Sequence, residues 1–338
     1  MGAVFLWGTH VLASPTQGHV VVVSPCGHQN SRNFPHALMF LPLTGVYEPS
    51  AIQQLPDGRF LVVEDEKAHP FSMVTIRPDG TSSSVPLVTK TQDADSPLAK
   101  LDDLEGITAD AAGFIYAITS HSRNSKGNEK KSREKLLRFR VEGDQVVASK
   151  VVTGLKAALC ATHPLLAAAA EARDAKGEGG FNIEALEMTA DRRSLLVGFR
   201  SPLHDGHALI AAIENPPEMF DADAAPRISP RLDMLDLDGH GIRGMSFVPG
   251  LAGYLVVSGP VGKEQVHFRL WFWSGRASDP PRHVTVPGLP GFEHAEGVSP
   301  ACIDGQERIV IVSDDGSRED RRYARFLLLD PGQLQITS

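Results

Sequence analysis

The sequence has 338 residues and a formal net charge of -8, with 42% hydrophobic and 22% charged residues. This composition is that of a folded globular chain, and it gives no sign of disorder. The acidic balance argues against nucleic acid as a partner of the whole surface. No apolar run approaches the ~18 residues that a membrane-spanning helix requires, so no membrane partner is expected.

The N-terminus and the cysteines bear on the cellular compartment. The N-terminus has a short apolar run without a basic region before it, which is weak support for a signal peptide. Cys26, Cys160 and Cys302 form no CxxC pair, and an odd, sparse set argues against a disulfide framework. We therefore expect a cytoplasmic protein, with export as the less supported alternative.

Five segments along the chain share one pattern, and they begin at Glu48, Leu104, Asn182, Gly241 and Ala295. A polar residue opens a short alternating strand, a turn rich in Gly, Asp or Pro follows, and then comes a dense apolar strand. A third apolar strand follows in each unit, and a weaker fourth follows in four of them. Repetition of a four-stranded antiparallel unit predicts an all-β protein, a β-propeller of five blades.

The two ends of the chain decide how such a ring closes. The fifth unit ends after its third strand, so we expect an N-terminal strand, at residues 36–41 or 19–23, to complete it and remove the unpaired edges. An irregular six-bladed ring that uses residues 1–40 is the alternative. We expect residues 1–35 to form an N-terminal extension and residues 36–338 a single domain.

The longest interval between units contains an alanine-rich stretch near residues 155–175, which favours a short helical insert. Such an insert could cover one face of the ring as a lid. It could equally be a surface insertion without a role.

Several phrases along the chain, among them EPSAI, LEGIT, VGFRSP and GIRGM, resemble a bacterial family catalogued as domain of unknown function 3616. The resemblance covers roughly residues 45–330, and the family carries no activity to transfer. The EGI and EAL phrases are also similar, more weakly, to phytase-related esterase-like propellers and to calcium-dependent nucleotidase propellers. The latter resemblance implies a calcium ion in the tunnel of a five-bladed ring, by analogy of fold.

The polar residues that open the five units should converge on the central channel, and they are Glu48, Glu105, Glu184, Arg243 and Glu296. At ~5 Å and an effective dielectric of 20, each carboxylate pair costs about 3 kcal/mol. One arginine cannot neutralise four acids, so either their pKa values rise or a cation binds. We expect the four glutamates to bind a divalent cation, Ca²⁺ rather than Mg²⁺. Alternatively, they cap backbone amides of neighbouring blades.

A second set of residues follows the apolar second strand of each unit, 16 to 18 positions after the opening residue. Among them, Asp65 and His121 are candidate general bases, and Arg200 with Arg243 could hold an anion. Because the second strand is antiparallel to the first, both sets should lie on one face of the ring. The alternative is ordinary turn chemistry at strand ends.

A basic loop over residues 121–135 leaves the same face and carries Arg123 and Lys126. In an acidic protein, such a loop suggests a small anionic ligand. A solvated loop without a ligand is the alternative.

Together these patterns predict a divalent-metal-dependent hydrolase of an anionic ester, either a phosphoester or a lactone-like substrate, at the mouth of the channel. A non-catalytic propeller that binds a ligand or a protein is the second hypothesis. A glycoside-cleaving enzyme with two carboxyls across the site is the third.

Overall fold

The computed structural model describes residues 38–65, 69–88, 98, 100–173, 179–262 and 267–337. Within this part of the chain, the strands form five antiparallel sheets, which confirms the five-bladed β-propeller. In every blade the four main strands lie in sequence order from the channel outwards, apart from the last blade, whose fourth strand comes from the N-terminal side.

The strands take their bounds from the apolar runs and turns that the sequence predicts. Before the first blade lies β1 (Leu41–Pro42). Blade 1 contains β2 (Pro49–Gln54), β3 (Phe60–Glu64), β4 (Phe71–Ile76) and β5 (Ser82–Pro86). Blade 2 contains β6 (Leu104–Ala109), β7 (Ile115–Thr119), β8 (Leu136–Glu142) and β9 (Gln145–Val152). Blade 3 contains β10 (Asn182–Met188), β11 (Leu195–Ser201), β12 (Ala208–Ile213) and β13 (Ile228–Leu235).

The last two blades follow the same order. Blade 4 contains β14 (Gly241–Val248), β15 (Gly253–Gly259), β16 (Arg269–Trp273) and β17 (Arg282–Thr285). Blade 5 contains β18 (Ala295–Ile303), β19 (Gln306–Ser313) and β20 (Arg325–Leu329). A short C-terminal strand, β21 (Gln335–Ile336), adds a fifth strand to blade 4 by pairing with β17. The sequence patterns do not reveal this last pairing.

Blade 5 is closed by an N-terminal strand, as predicted, although the described strand is Leu41–Pro42 and overlaps the predicted residues 36–41 only at Leu41. Strand β1 pairs antiparallel with β20, and Leu41 lies opposite Phe326. The backbone N–H of Leu43 donates to the carbonyl of Ala324 at 2.8 Å, which extends the closure beyond the strand. The alternative closing strand at 19–23 and the predicted extension over residues 1–35 lie outside the described residues.

The apolar residues fill the five spaces between neighbouring blades. Each space holds one cluster of buried side chains, and the cluster between blades 3 and 4 includes Trp271 and Trp273. Their alternation on one strand predicts that they share a face and pack between blades, which the structure confirms. Because every blade is buried on both faces, each second strand reads as a continuous apolar run.

Two short helices, α1 (Leu155–Thr162) and α2 (Pro164–Glu171), form the predicted insert between β9 and β10. Leu155, Leu159 and Leu166 are fully buried in the cluster between blades 2 and 3. The insert therefore packs onto the blades, at the end of the ring where each innermost strand begins. A third helix, α3 (Pro216–Asp221), connects β12 and β13.

No helix in the described ranges is long and apolar enough to cross a membrane.

The two cysteines in the described ranges differ in their bonding. Cys160 is a free thiol, whereas Cys302 is disulfide-bonded. The expectation that the cysteines form no disulfide is therefore wrong for Cys302.

Candidate functional site

A β-bulge near the start of each innermost strand aims one side chain into the channel. The pairing with the second strand skips one residue in every blade, and the skipped residues are Ser50, Glu105, Glu184, Arg243 and Glu296. We call these five residues the upper ring. Bulges of this kind re-aim side chains and are frequent beside active sites.

Blade 1 contributes Ser50 to the upper ring, and not Glu48 as predicted. Glu48 lies two residues earlier, before β2 begins, and its side chain is exposed. The charge of Glu48 nevertheless helps to raise the pKa values of Asp65 and Asp314, which shows that it faces the same mouth. The upper ring thus holds three acids and one arginine instead of four acids and one.

Arg243 is held between two of the ring glutamates. Its Nε donates to Glu296 Oε2 at 2.7 Å and lies 2.9 Å from Glu184 Oε2, and its Nη2 donates to Glu296 Oε1. Burial disfavours the charged guanidinium, but the carboxylates of Glu184 and Glu296 raise the pKa of Arg243 above its ordinary value. The predicted role of Arg243 in holding an anion therefore competes with two carboxylates that already occupy its fork.

The guanidinium of Arg200 is also bound by a carboxylate and by backbone carbonyls of the protein. Its Nη1 lies 3.0 Å from Glu184 Oε1, and its Nε donates to the carbonyls of Pro260 and Val261 at 2.9 and 3.0 Å. Asn182 donates to the same Glu184 oxygen at 2.8 Å. Glu184 is consequently a structural hub with two arginines and an amide around it.

Glu105 is the ring acid that this network leaves out. Among the residues that the structure describes, its half-buried carboxyl makes no hydrogen bond or ion pair. Burial raises the pKa of Glu105 well above 4.5, and the charges of Glu184, Asp103 and Asp65 raise it further. A carboxyl in such surroundings retains its proton at a higher pH than an ordinary glutamate does.

Asp65 lies near Glu105 and remains open to solvent. It follows β3 directly, and the register places Glu64 at the end of that strand opposite Pro49 at the start of β2. Partial desolvation in the mouth, together with the charge of Asp103, raises the pKa of Asp65 to about 7. The prediction that the second-strand ends meet the first-strand starts on one face is confirmed.

Asp314, at the end of blade 5, behaves like Asp65. Desolvation and the charge of Glu48 raise its pKa to about 6. Asp102 and Asp103, which precede β6, are instead paired with Arg133 at 3.4 and 2.9 Å. The mouth thus carries acids that arginines neutralise and acids that no described cation pairs with, namely Glu48, Asp65, Glu105 and Asp314.

His121, the other predicted base, is completely buried. Its Nδ1 lies 2.8 Å from the Thr119 carbonyl, and burial lowers the pKa of the imidazole to about 4. The ring is therefore neutral at physiological pH, with Nδ1–H as the donor. Because no face of this ring is open to solvent, the structure does not support its predicted role as a base that reaches a water.

The basic loop over residues 121–135 joins the helical insert. Arg123 donates from Nε to the carbonyl of Ala170 in α2 at 3.2 Å and lies 3.3 Å from Glu129. Lys156 of α1 lies 3.7 Å from both Glu129 and Glu134. Arg123 therefore fastens the insert, whereas the side chain of Lys126 is exposed and has no partner among the described residues.

A second polar ring lies three residues further along each innermost strand, and sequence reasoning missed it. Its members are Gln53, Thr108, Glu187, Ser246 and Ser299. Glu187 accepts hydrogen bonds from Thr108 Oγ1 at 2.5 Å and Ser246 Oγ at 2.9 Å, and also from two backbone N–H groups. This lower ring ties blades 2, 3 and 4 together. Glu187 accepts a backbone N–H from the neighbouring blade, which is the capping role predicted as the alternative for the upper glutamates.

The four glutamates predicted to bind a divalent ion differ in their surroundings, because two are paired with Arg243 and two are not. In the described ranges, no group of three or more His, Cys, Asp or Glu side chains has the arrangement to hold a metal ion. Arg243 occupies the space between Glu184 and Glu296 that a cation would need. Of the four predicted ligands, Glu48 and Glu105 remain without an ion-pair partner in the described chain.

The chain matches one known family from the helical insert onwards. A family model described as a protein of unknown function, DUF3616, matches residues 153–329, just over half of the chain. The chain belongs to this family. The matched residues of this DUF3616 member include the insert and blades 3, 4 and 5, and hence Glu184, Arg200, Arg243 and Glu296. No curated protein sequence matches the chain.

Solved structures resemble this DUF3616 member at low identity. A glucose dehydrogenase shares 13% identity over 86% of this chain and 99% of its own, with a TM-score of 0.44. The PQQ domain of a pyranose dehydrogenase from Coprinopsis cinerea shares 11% over 86% and 84%, with a TM-score of 0.41. The Malassezia sympodialis allergen Mala s 1 shares 13% over 85% and 80%, also with a TM-score of 0.41. The activities in these names belong to those proteins.

Proposed function

We propose that the protein is a hydrolase that cleaves an uncharged ester or lactone at the mouth of the channel. The observation that carries this proposal is that Asp65 and Glu105 lie at the same end of the neighbouring blades 1 and 2 and interact electrostatically. Both are without an ion-pair partner in the described chain, and the charge of Asp65 raises the pKa of Glu105. Neighbouring carboxyls whose pKa values are raised commonly act as the acid and the base in enzyme active sites.

The two carboxyls have different tasks in this reaction. Glu105, in its protonated form, donates a hydrogen bond to the carbonyl oxygen of the ester, where negative charge develops. Asp65, with a pKa of about 7, is partly ionised at neutral pH and takes a proton from the attacking water. It returns that proton to the leaving alkoxide, so that ester and water become acid and alcohol.

The charge of the mouth favours an uncharged substrate over the anionic one predicted from the basic loop. Arg133, Arg200 and Arg243 are all paired with carboxylates, and an excess of acids surrounds them. An anion would meet the unpaired charges of Glu48 and Asp314 at the entrance. A neutral ester carries no such penalty.

A divalent cation, with Ca²⁺ favoured, stays a prediction. Such an ion would polarise the ester carbonyl and acidify a bound water. Glu48 and Glu105 are the predicted ligands that no described arginine pairs with. Since three converging ligands are not in place among the described residues, we assign the ion no step in the reaction.

The experiment is a hydrolysis assay with γ- and δ-lactones and aryl acetates, in EDTA and with added Ca²⁺ or Mg²⁺. We expect turnover in EDTA and a loss of about 10²–10⁴-fold in Asp65→Asn and Glu105→Gln. Exposed acids far from the mouth supply matched controls, Asp304→Asn and Glu142→Gln, which should retain the wild-type rate. Turnover of no substrate, or wild-type rates in both mouth variants, would overturn the proposal. Activity that requires Ca²⁺ would restore the metal-dependent reading.

The second candidate is a propeller that binds a small ligand without turnover. One observation favours it: the three arginines at the mouth are already neutralised, which gives a fixed surface with little positive charge for a transition state. A specific rise in melting temperature with a lactone, without hydrolysis in any condition above, would support this candidate.

A further inference from the structure

A cavity of about 600 Å³ lies beside the channel mouth, between the helical insert and blades 3 and 4. Helix α2 and the residue after it supply Leu165, Ala168 and Ala172 to one wall. Leu203, His204 and Val261 line the other side. The volume is that of small-molecule sites, and its open lining combines apolar side chains with polar groups such as His204.

Two alanines of the insert, Ala168 and Ala172, line this space. Ala168 and Ala172 are four residues apart and therefore share one face. That face is partly exposed, whereas Leu166 is completely buried against the core. Leu165 lies on the same face, but the small side chains of Ala168 and Ala172 leave room that larger side chains would fill.

The cavity wall is joined to the upper ring by one guanidinium. Arg200 donates from Nε to the carbonyl of Val261 at 3.0 Å, and its Nη1 lies 3.0 Å from Glu184. Only the Arg200 side chain therefore separates a ligand beside Val261 from Glu184 of the upper ring, which also contains Glu105. His204, half-exposed in the wall, can donate a hydrogen bond to an oxygen of that ligand.

We infer that this cavity binds the nonpolar acyl or alkyl part of the ester substrate, while the ester group reaches the mouth. The inference rests on the proposed function, because it names the substrate's nonpolar part. The binding of a nonpolar group is separable from the reaction, since no lining residue is one of the two catalytic acids.

The probe is N-phenyl-1-naphthylamine, an uncharged aromatic fluorophore, titrated into the full-length protein. We expect saturable 1:1 binding, at least tenfold weaker binding to Ala168→Phe and to Ala172→Phe, and no change in Ala157→Phe. Ala157 is an exposed α1 residue outside the cavity lining, so it controls for the added ring. Two cavity variants are used because one of them could fail to fold, and circular dichroism checks each.

Absence of saturable binding, or equal affinity in all three phenylalanine variants, overturns the inference. Asp65→Asn should bind the fluorophore like the wild type, so a failure of the catalytic proposal and a failure of the cavity proposal give different results. If hydrolysis is found, KM should fall as the acyl chain lengthens in the wild type, and this dependence should vanish in Ala168→Phe.

Discussion

Arg243 bonds to Glu184 on the neighbouring blade and to Glu296 on the next, so that one guanidinium joins blades 3, 4 and 5 at the mouth of the channel. All three side chains are largely withdrawn from solvent, with exposed fractions of 11%, 5% and 8%. Removal of the cation would leave the buried Glu296 without its arginine and Glu184 with Arg200 alone.

We therefore expect Arg243→Gln to lower the free energy of unfolding by about 3–5 kcal/mol. Urea denaturation at pH 8 measures this loss. Arg227→Gln breaks a surface pair with Glu214 and should cost at most about 1 kcal/mol. The double variant that also carries Glu296→Gln should recover part of the loss, because Glu184 stays paired with Arg200. Equal stability of the two single variants would show that Arg243 does not hold the ring together.

Asp65 gives a pH-dependent contribution to stability. Its pKa is raised to about 7 in the folded protein, so the folded state binds more protons than the unfolded state between about pH 4 and pH 7. The free energy of unfolding therefore falls as the pH rises through this range. Asp65→Asn, which cannot ionise, should match the wild type at pH 3.5, below the pKa of an unfolded aspartate, and have the higher melting temperature at pH 8. A melting-temperature difference that is the same at both pH values would contradict this.

Glu187 is expected to matter for folding and not for catalysis. Its carboxylate accepts hydrogen bonds from Thr108, Ser246 and two backbone N–H groups. Glu187→Gln places an N–H₂ group against these donors and should cost about 1–3 kcal/mol. The matched Glu142→Gln, at an exposed position, should be neutral. Chemical denaturation measures both, and an unchanged kcat in folded Glu187→Gln separates the lower ring from the reaction.

Gly244 sets how closely blades 4 and 5 approach. A Cβ at this position would lie 1.9 Å from the carbonyl oxygen of Glu296, in backbone that cannot simply rotate away. Gly244→Ala should therefore destabilise the fold by about 3 kcal/mol. Gly332→Ala, where a Cβ meets nothing within 4 Å, is the control and should leave the melting temperature within a degree or two. A similar melting temperature for both variants would mean that the blades can separate at no cost.

Much of the propeller could be predicted from the sequence because its signals are local. Apolar runs bounded by turn residues mark the strands, and the alanine-rich stretch marks the insert. The added strand β21 could not be found this way, since a two-residue strand carries no pattern of its own.

The upper ring shows where such reasoning stops. Charge points to Glu48 in blade 1, whereas the backbone bulge selects Ser50, which carries no charge. The informative signal is a small residue directly after each ring position, as in Gly106, Gly244 and Gly297, where close blade contact excludes a larger side chain. The pairing of Arg243 with Glu184 and Glu296 follows from three-dimensional proximity, which no spacing in the sequence encodes.

The central claim is that Glu105 donates a hydrogen bond to the ester carbonyl because burial and the neighbouring carboxylates raise its pKa and keep it protonated. The most direct measurement is a ¹³C NMR titration of carboxyl-labelled protein, with the Glu105 signal assigned by its loss in Glu105→Gln. Our account predicts a midpoint well above 4.5 that falls toward it in Asp65→Asn, where one of the repelling charges is removed. A midpoint at or below 4.5, unchanged in Asp65→Asn, would contradict it.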